Sequence, residues 1–175
     1  MPADLHVIDT NVLLVTRDRS ADEWPDALVD ACEELLLSIQ EDGRVATDQG
    51  GEIVDEYFHD LSHSGQPSLA DAFAVWVRDM RWSWGEDALV DIRPGPDGNR
   101  EYGALADGGR DIPDPSDRKF VAVAAAASAP VHQATDVKWM DWGAALERHG
   151  VALRWVHEEH ARMMYRDKFG RDPGP

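Results

Sequence analysis

Three aspartates, Asp9, Asp48 and Asp136, each directly follow a short apolar run with the profile of a β-strand, at Leu5–Ile8, Arg44–Thr47 and Val131–Thr135. Two more, Asp114 and Asp117, open an alanine-rich stretch that reads as a buried helix. In an open parallel sheet, ligands sit beyond the carboxyl ends of the strands, so all five acids are expected at one edge. Carboxylates gathered in one place repel each other unless a cation stands between them. Oxygen donors suit hard ions such as Mg²⁺ or Mn²⁺, and the usual chemistry of such sites is phosphoryl transfer.

The elements that must position these acids follow from periodicity and punctuation. Asp9, Thr10 and Asn11 are capping and turn residues from which a helix can start. Residues Asp22–Ile39 put Leu28, Ala31, Cys32, Leu35, Leu36 and Ile39 on one face, predicting a helix that Gly43 ends. Gln49–Leu61 and Ser68–Trp82 read as amphipathic helices separated by Ser64-Gly65-Gln66-Pro67. Ala88–Ile92 reads as a short strand. Asp114 can cap, Pro115 fits the first helical position and Asp117 the third, predicting a helix over Ser116–Ser128 that Pro130 ends. A helix over Lys138–His149, a strand over Val151–Val156 and a terminal helix over His157–Phe169 complete the pattern. Strands alternate with helices, which predicts one α/β domain, a three-layer α/β/α sandwich around a mostly parallel sheet.

Residues 94–115 are the one long loop, rich in Gly and Pro. A loop of that length in a compact domain is usually functional or mobile. It carries Arg100, Tyr102 and Arg110 as candidate substrate contacts, against the simpler reading of a solvated excursion.

The helix at 49–61 carries Glu52, Asp55, Glu56 and Asp60 beside an apolar face of Ile53, Val54, Tyr57, Phe58 and Leu61. At about 100° per residue, Glu52 points away from that face, while Glu56 and Asp55 lie on its two flanks. Asp48 is either a helix cap or a supporting ligand. Asp141 competes with Asp136, which is favoured because it directly follows a strand. His59 and His63, four apart, have a spacing that can bind zinc, but without an HExxH pattern surface histidines are the simpler reading. Among seven tryptophans, Trp76, Trp82, Trp84, Trp139 and Trp142 can stack on bases, with core packing the simpler role.

Composition bounds the function. With 34 acidic and 17 basic residues, the formal net charge is −17. Such a chain repels a nucleic-acid backbone at long range and excludes a basic-groove binder. A nuclease is compatible with it where bound cations neutralise the local field. There is no Walker loop or dinucleotide fingerprint. The single cysteine, Cys32, excludes an intrachain disulfide and reads as a buried small hydrophobe. No apolar run has the length of a membrane span and no signal-peptide pattern opens the chain, so a cytoplasmic location is expected.

Four segments carry a family resemblance. HVIDTNVLL resembles the opening block of PIN domains, a hydrophobic strand followed by Asp, Thr or Ser, and Asn. EIVDEYFHDL resembles the second block, an Ile-x-x-Glu-Tyr helix, DPSDRKFVAVAAAA the third, and VHQATDVKW the fourth. They occur in the family order and span Leu5 to about Trp139. The resemblance implies a metal-dependent ribonuclease, similar to VapC-type toxins of toxin–antitoxin pairs. It implies Mg²⁺ or Mn²⁺ held by Asp9, Glu56, Asp117 and Asp136, with Asn11 and Thr135 as supporting residues and Asp48 and Asp114 beside them. The implied reaction is in-line hydrolysis of RNA, leaving a 5′-phosphate and a 3′-hydroxyl. An antitoxin protein and a homodimer are the partners it allows for. The rival within the family is a non-catalytic module that binds a partner protein. A receiver domain would need an acidic pair at the first strand end, an Asp after the third strand and a late lysine, whereas Asp9 stands without an adjacent acid and no lysine is read at the end of the last strands.

Overall fold

Leu5–Ile8 (β1) is a short strand with Val7 and Ile8 fully buried, as a strand covered on both faces must be. The computed structural model describes residues 4–17, 22–61 and 66–174. The turn at Ser64-Gly65 and His63, the second member of the histidine pair, lie outside the described residues.

From β1 the chain runs through α1 (Thr10–Val15), α2 (Asp26–Asp42), β2 (Arg44–Val45), β3 (Thr47–Asp48), α3 (Glu52–Asp60), α4 (Leu69–Met80) and β4 (Leu89–Val90). It continues through α5 (Arg118–Ala127), β5 (Val131–Gln133), α6 (Gly143–Arg148), β6 (Leu153–Trp155) and α7 (Glu158–Phe169). Four strands form a parallel sheet in the order β2-β1-β5-β6. The expected α/β architecture is therefore present, with helices flanking a parallel sheet. The run Arg44–Asp48 is divided: its first half pairs with β1 and its second, β3, pairs in parallel with β4. Among the described residues, no helix is long and apolar enough to cross a membrane.

Helix α5 is the buried heart of the domain. Every residue from Arg118 to Ala124 is buried, and the alanines let its backbone lie close to β1 and β5. It starts at Arg118 rather than Ser116. The Asp114 carboxylate takes the Ser116 N–H (2.9 Å) and hydroxyl (2.6 Å), which holds a separate turn ahead of the helix. Helix α2 likewise starts later than Asp22. Trp24 precedes a proline and is disfavoured from helical geometry, and the Pro25 carbonyl accepts the first N–H groups, from Leu28 and Val29.

Two further departures have local causes. Strand β5 stops at Gln133 instead of reaching Thr135, because the Asn11 side chain captures the N–H groups of Ala134 (2.9 Å) and Thr135 (3.2 Å). The expected helix from Lys138 is a 3₁₀ segment over Val137–Trp142, followed by α6. Residues three apart eclipse in a 3₁₀ turn, and Trp139 and Trp142 accordingly pack with ring centroids 4.9 Å apart.

The long segment 94–115 is not a solvated excursion. It folds into two 3₁₀ turns, Pro96–Gly98 and Ala106–Gly109, with an antiparallel bridge between Pro94 and Tyr102. Tyr102, Leu105 and Ile112 anchor it in the core. Positive φ at Arg100, Asp107, Gly108 and Gly109 turns the chain back on itself between these anchors.

Candidate metal centre

Asp9 stands at the carboxyl end of β1 and caps α1. Its Oδ1 accepts from the Asn11 backbone N–H (3.1 Å) and from Asn11 Nδ2 (2.5 Å), and its Oδ2 accepts from Gln133 Nε2 (2.8 Å). Asn11 also donates to Gln133 Oε1 (2.5 Å). One asparagine thus joins the ends of two neighbouring strands and fixes the carboxylate between them. The residue is only 5% exposed. Burial drives the Asp9 carboxyl well above its ordinary range, and the charges of Asp117, Glu56 and Asp136 push the same way against the Asn11 N–H.

Helix α3 brings the next acid. Its start is built by Asp48, whose two carboxylate oxygens accept the N–H groups of Glu52 (2.8 Å) and Ile53 (3.0 Å). Gly51 precedes the helix at φ +86, with Arg81 3.4 Å from where a Cβ would stand, so the turn calls for glycine. Tyr57 donates its hydroxyl to the Ile8 carbonyl (2.5 Å), which ties α3 to β1 at the residue before Asp9. One position back on the helix, Glu56 accepts from the Thr10 hydroxyl (2.6 Å) and pairs with Lys119. Asp55 is exposed on the other flank. Glu52 does not point freely to solvent as its helical angle suggested, because Tyr102 reaches across from the long segment and donates to it at 2.6 Å. That contact makes Tyr102 a packing residue. Of the other two candidates in this segment, Arg110 is paired with Glu101 at 2.7 Å, and Arg100 is exposed.

Asp117 and Asp136 complete the group. Asp117 precedes α5 but makes no side-chain cap bond there, so its carboxylate is left for the site. Burial raises its pKa to about 6, with Lys138 opposing and Asp136 and Asp114 reinforcing the rise. Lys138 Nζ lies 3.0 Å from Asp117 Oδ2, 3.0 Å from Asp136 Oδ2 and 2.6 Å from Asp114 Oδ2. The three oxygens therefore lie within twice that distance of one another. Burial works against ionisation of Asp114 too, but Lys138 and Ser116 outweigh it and hold the group below the usual carboxylate range. Asp117 Oδ2 is buried and has this charge beside it without an aligned hydrogen bond. Thr135 contributes through its backbone N–H to Asn11. Asp141 is occupied elsewhere, by Tyr165 (2.5 Å) and Arg171 (3.0 Å).

Asp9, Glu56, Asp114, Asp117 and Asp136 are thus gathered at one sheet edge. Five carboxylates face two lysines, Lys119 and Lys138, so three negative charges are uncompensated when all are ionised. Donor type and charge fit a hard divalent cation. As the side chains stand, however, the oxygens are turned onto amides, hydroxyls and ammonium groups. Among the described residues, no group of three or more His, Cys, Asp or Glu is arranged to hold a metal ion as it stands, and the point on which Asp114, Asp117 and Asp136 converge is taken by Lys138.

Lys138, Lys119, Gln133 and Thr10 were not singled out in the sequence. Lys138 lies two residues after Asp136 and Thr10 directly after Asp9, but nothing in their spacing says where their side chains turn. The other chemistry-bearing candidates have structural duties. Cys32 is fully buried, and its thiol is pushed up to about 12 by burial and the nearby Glu33. His157 caps α7. Trp76 packs edge-on to Trp84, Trp139 and Trp142 are buried, and Trp82 is exposed beneath the Arg81 guanidinium. A cavity of about 530 Å³ opens beside α6, β6 and α7, lined by Trp139, Leu146 and Trp155, and contains none of the five acids. No protein-family model, curated protein or solved structure matches this chain, so its residues and their geometry carry the functional reading.

Proposed function

We propose that the protein is a metal-dependent ribonuclease of the PIN type. One observation carries the reading: Asp9 is buried at the end of β1, the next residue, Thr10, holds Glu56 at 2.6 Å, and Asp117 and Asp136 each stand 3.0 Å from one ammonium. Acids from four separate regions of the chain are held against one another, which costs stability unless a cation is meant to join them.

In this reading Asp9, Glu56, Asp117 and Asp136 hold Mg²⁺ or Mn²⁺. A bound divalent cation supplies a Lewis acid for a phosphodiester and neutralises the field that would repel it. The chain's own residues do the positioning. Asn11 and Gln133 fix both oxygens of Asp9, and Thr10 fixes one oxygen of Glu56. Tyr57 locks the backbone between them. The acidic surface leaves substrate phosphate only this neutralised point to approach, so RNA binding without a cation is weak. A role as the toxin of a toxin–antitoxin pair, in the cytoplasm, belongs to the same proposal.

The test is cleavage of mixed RNA with Mn²⁺ or Mg²⁺ by the wild type and by Asp9→Asn. The wild type leaves 5′-phosphate and 3′-hydroxyl ends, and the variant loses activity. Equal activity in both refutes the assignment. A second reading, a non-catalytic PIN-like module that binds a partner protein, is favoured by the ion pairs of Lys119 and Lys138 with the acids. It predicts no cleavage by either protein.

A further inference from the structure

Lys138 joins three carboxylates at once. Its single ammonium reaches Asp114, Asp117 and Asp136, each from a different place in the chain or turn, at 2.6, 3.0 and 3.0 Å. Three carboxylates closing on one positive charge is the arrangement a metal ion would otherwise impose. Lys119 does less, since it is shared between Glu56 and the Ser116 carbonyl.

We propose that Lys138 is the resident counter-ion of the site, holding Asp114, Asp117 and Asp136 together in the metal-free protein, and that Mg²⁺ or Mn²⁺ must displace it to bind. The inference rests on the reading of these acids as a cation site and adds the competitor within it.

The lysine is able to move: its side chain is 31% exposed, comparable to Asp114 at 35%, whereas that of Asp117 is 12% exposed and stands at the start of a buried helix. A lysine is a compact charge on a flexible stem, so it can leave for water without stranding a buried charge. The Trp142 ring, 5.7 Å from the ammonium, offers it a nearby apolar surface. Lys138 makes the acid cluster tolerable before metal arrives, at the expense of affinity for the metal.

The competing explanation is a plain structural ion pair. Both explanations predict that Lys138→Met lowers the melting temperature of the metal-free protein. A lysine that serves to organise the acids predicts weaker metal binding by the same variant, whereas a lysine that opposes the metal predicts tighter binding. The experiment is Mn²⁺ titration at fixed ionic strength, by calorimetry and by melting temperature, on the wild type, Lys138→Met, Lys138→Arg and Asp9→Asn. Lys138→Met is expected to bind Mn²⁺ at least about tenfold more tightly, which is about 1.4 kcal/mol, and to gain more melting temperature from it than the wild type. Lys138→Arg, which keeps the charge, should remain close to the wild type and shows that the site still folds. Equal or weaker Mn²⁺ binding by Lys138→Met, with wild-type binding that Asp9→Asn abolishes, overturns the competition and leaves the cation site standing. No saturable Mn²⁺ binding by the wild type overturns both.

Discussion

Gln133, the last residue of β5, donates its side-chain amide to Asp9, the residue after β1, over 2.8 Å and 124 positions of sequence. The contact is possible because β1 and β5 are parallel neighbours in register, Ile8 beside His132, so their carboxyl ends arrive together. Sheet topology, together with the local contact from Asn11, fixes the orientation of the central acid.

Asn11 is the other half of that clamp, with bonds to Asp9, Gln133, Ala134 and Thr135. Asn11→Ala leaves several of these groups without a partner in a site partly closed to water. It should destabilise the protein by about 1–3 kcal/mol in urea denaturation. Removal of such a supporting contact typically lowers metal affinity or activity by about 10–100-fold. Gln133→Ala should show the same activity defect. Unchanged Mn²⁺ affinity in both variants would show that the orientation of Asp9 does not matter.

Tyr102→Phe isolates one bond between the long segment and the helix that carries Glu56. Burial, then the Glu52 carboxylate, raise the Tyr102 pKa, so its hydroxyl stays protonated and donates throughout the working range. Its loss should cost about 1–2 kcal/mol and make residues 94–112 the first point of attack in limited proteolysis. A cleavage pattern identical to wild type would show that the segment is held by Leu105 and Ile112 alone.

His6 and His132 share one hydrogen bond, Nδ1 to Nε2, at 3.0 Å, so one ring donates and the other accepts. Burial pushes His132 down to about 3, with the neighbouring His6 and Arg154 adding to it, and burial also lowers His6. A depressed histidine binds its proton more readily in the unfolded chain. Stability is therefore present above about pH 6.5 and lost as pH falls toward 3. The loss from His132 alone is at most about 3 kcal/mol between pH 6.5 and 4. Replacing His132 by Gln should flatten this part of the stability curve, which denaturant midpoints across that range will measure.

Much of this was legible in the residues, and the remainder was not for definable reasons. The strand end at Asp9 and the buried alanine helix were readable because they rest on local pattern, whereas the strand read as running up to Asp136 ends at Gln133, since Asn11 takes the N–H groups of Ala134 and Thr135. Helix starts were misplaced wherever a side chain intervened, as at Asp114 and Pro25. The 3₁₀ segment at Val137–Trp142, in which Trp139 packs on Trp142, was read as the start of a helix from Lys138. Within the site, the acids were readable by type and place in each element. The groups that hold them were not: Gln133, Thr10, Lys119 and Lys138 gain their roles only when distant elements meet. Glu52 was rightly set apart from the site by its helical angle, but its partner Tyr102, which arrives from 50 residues away, was not readable.

Cys32 gives a simple check of the core. Buried and pushed up to about 12, it holds little thiolate at neutral pH. The native protein should not react with a disulfide reagent within minutes, and one thiol should appear on unfolding. Rapid native reaction would mean that α2 does not pack as described.

Anomalous diffraction from crystals soaked in Mn²⁺ tests the central claim most directly. The account predicts one strong peak bonded to carboxylate oxygens of Asp9, Glu56, Asp117 and Asp136, with Lys138 turned away from them. A peak held instead by Asp48 or Asp55, or no peak at this edge while Lys138 keeps its three carboxylates, would contradict it.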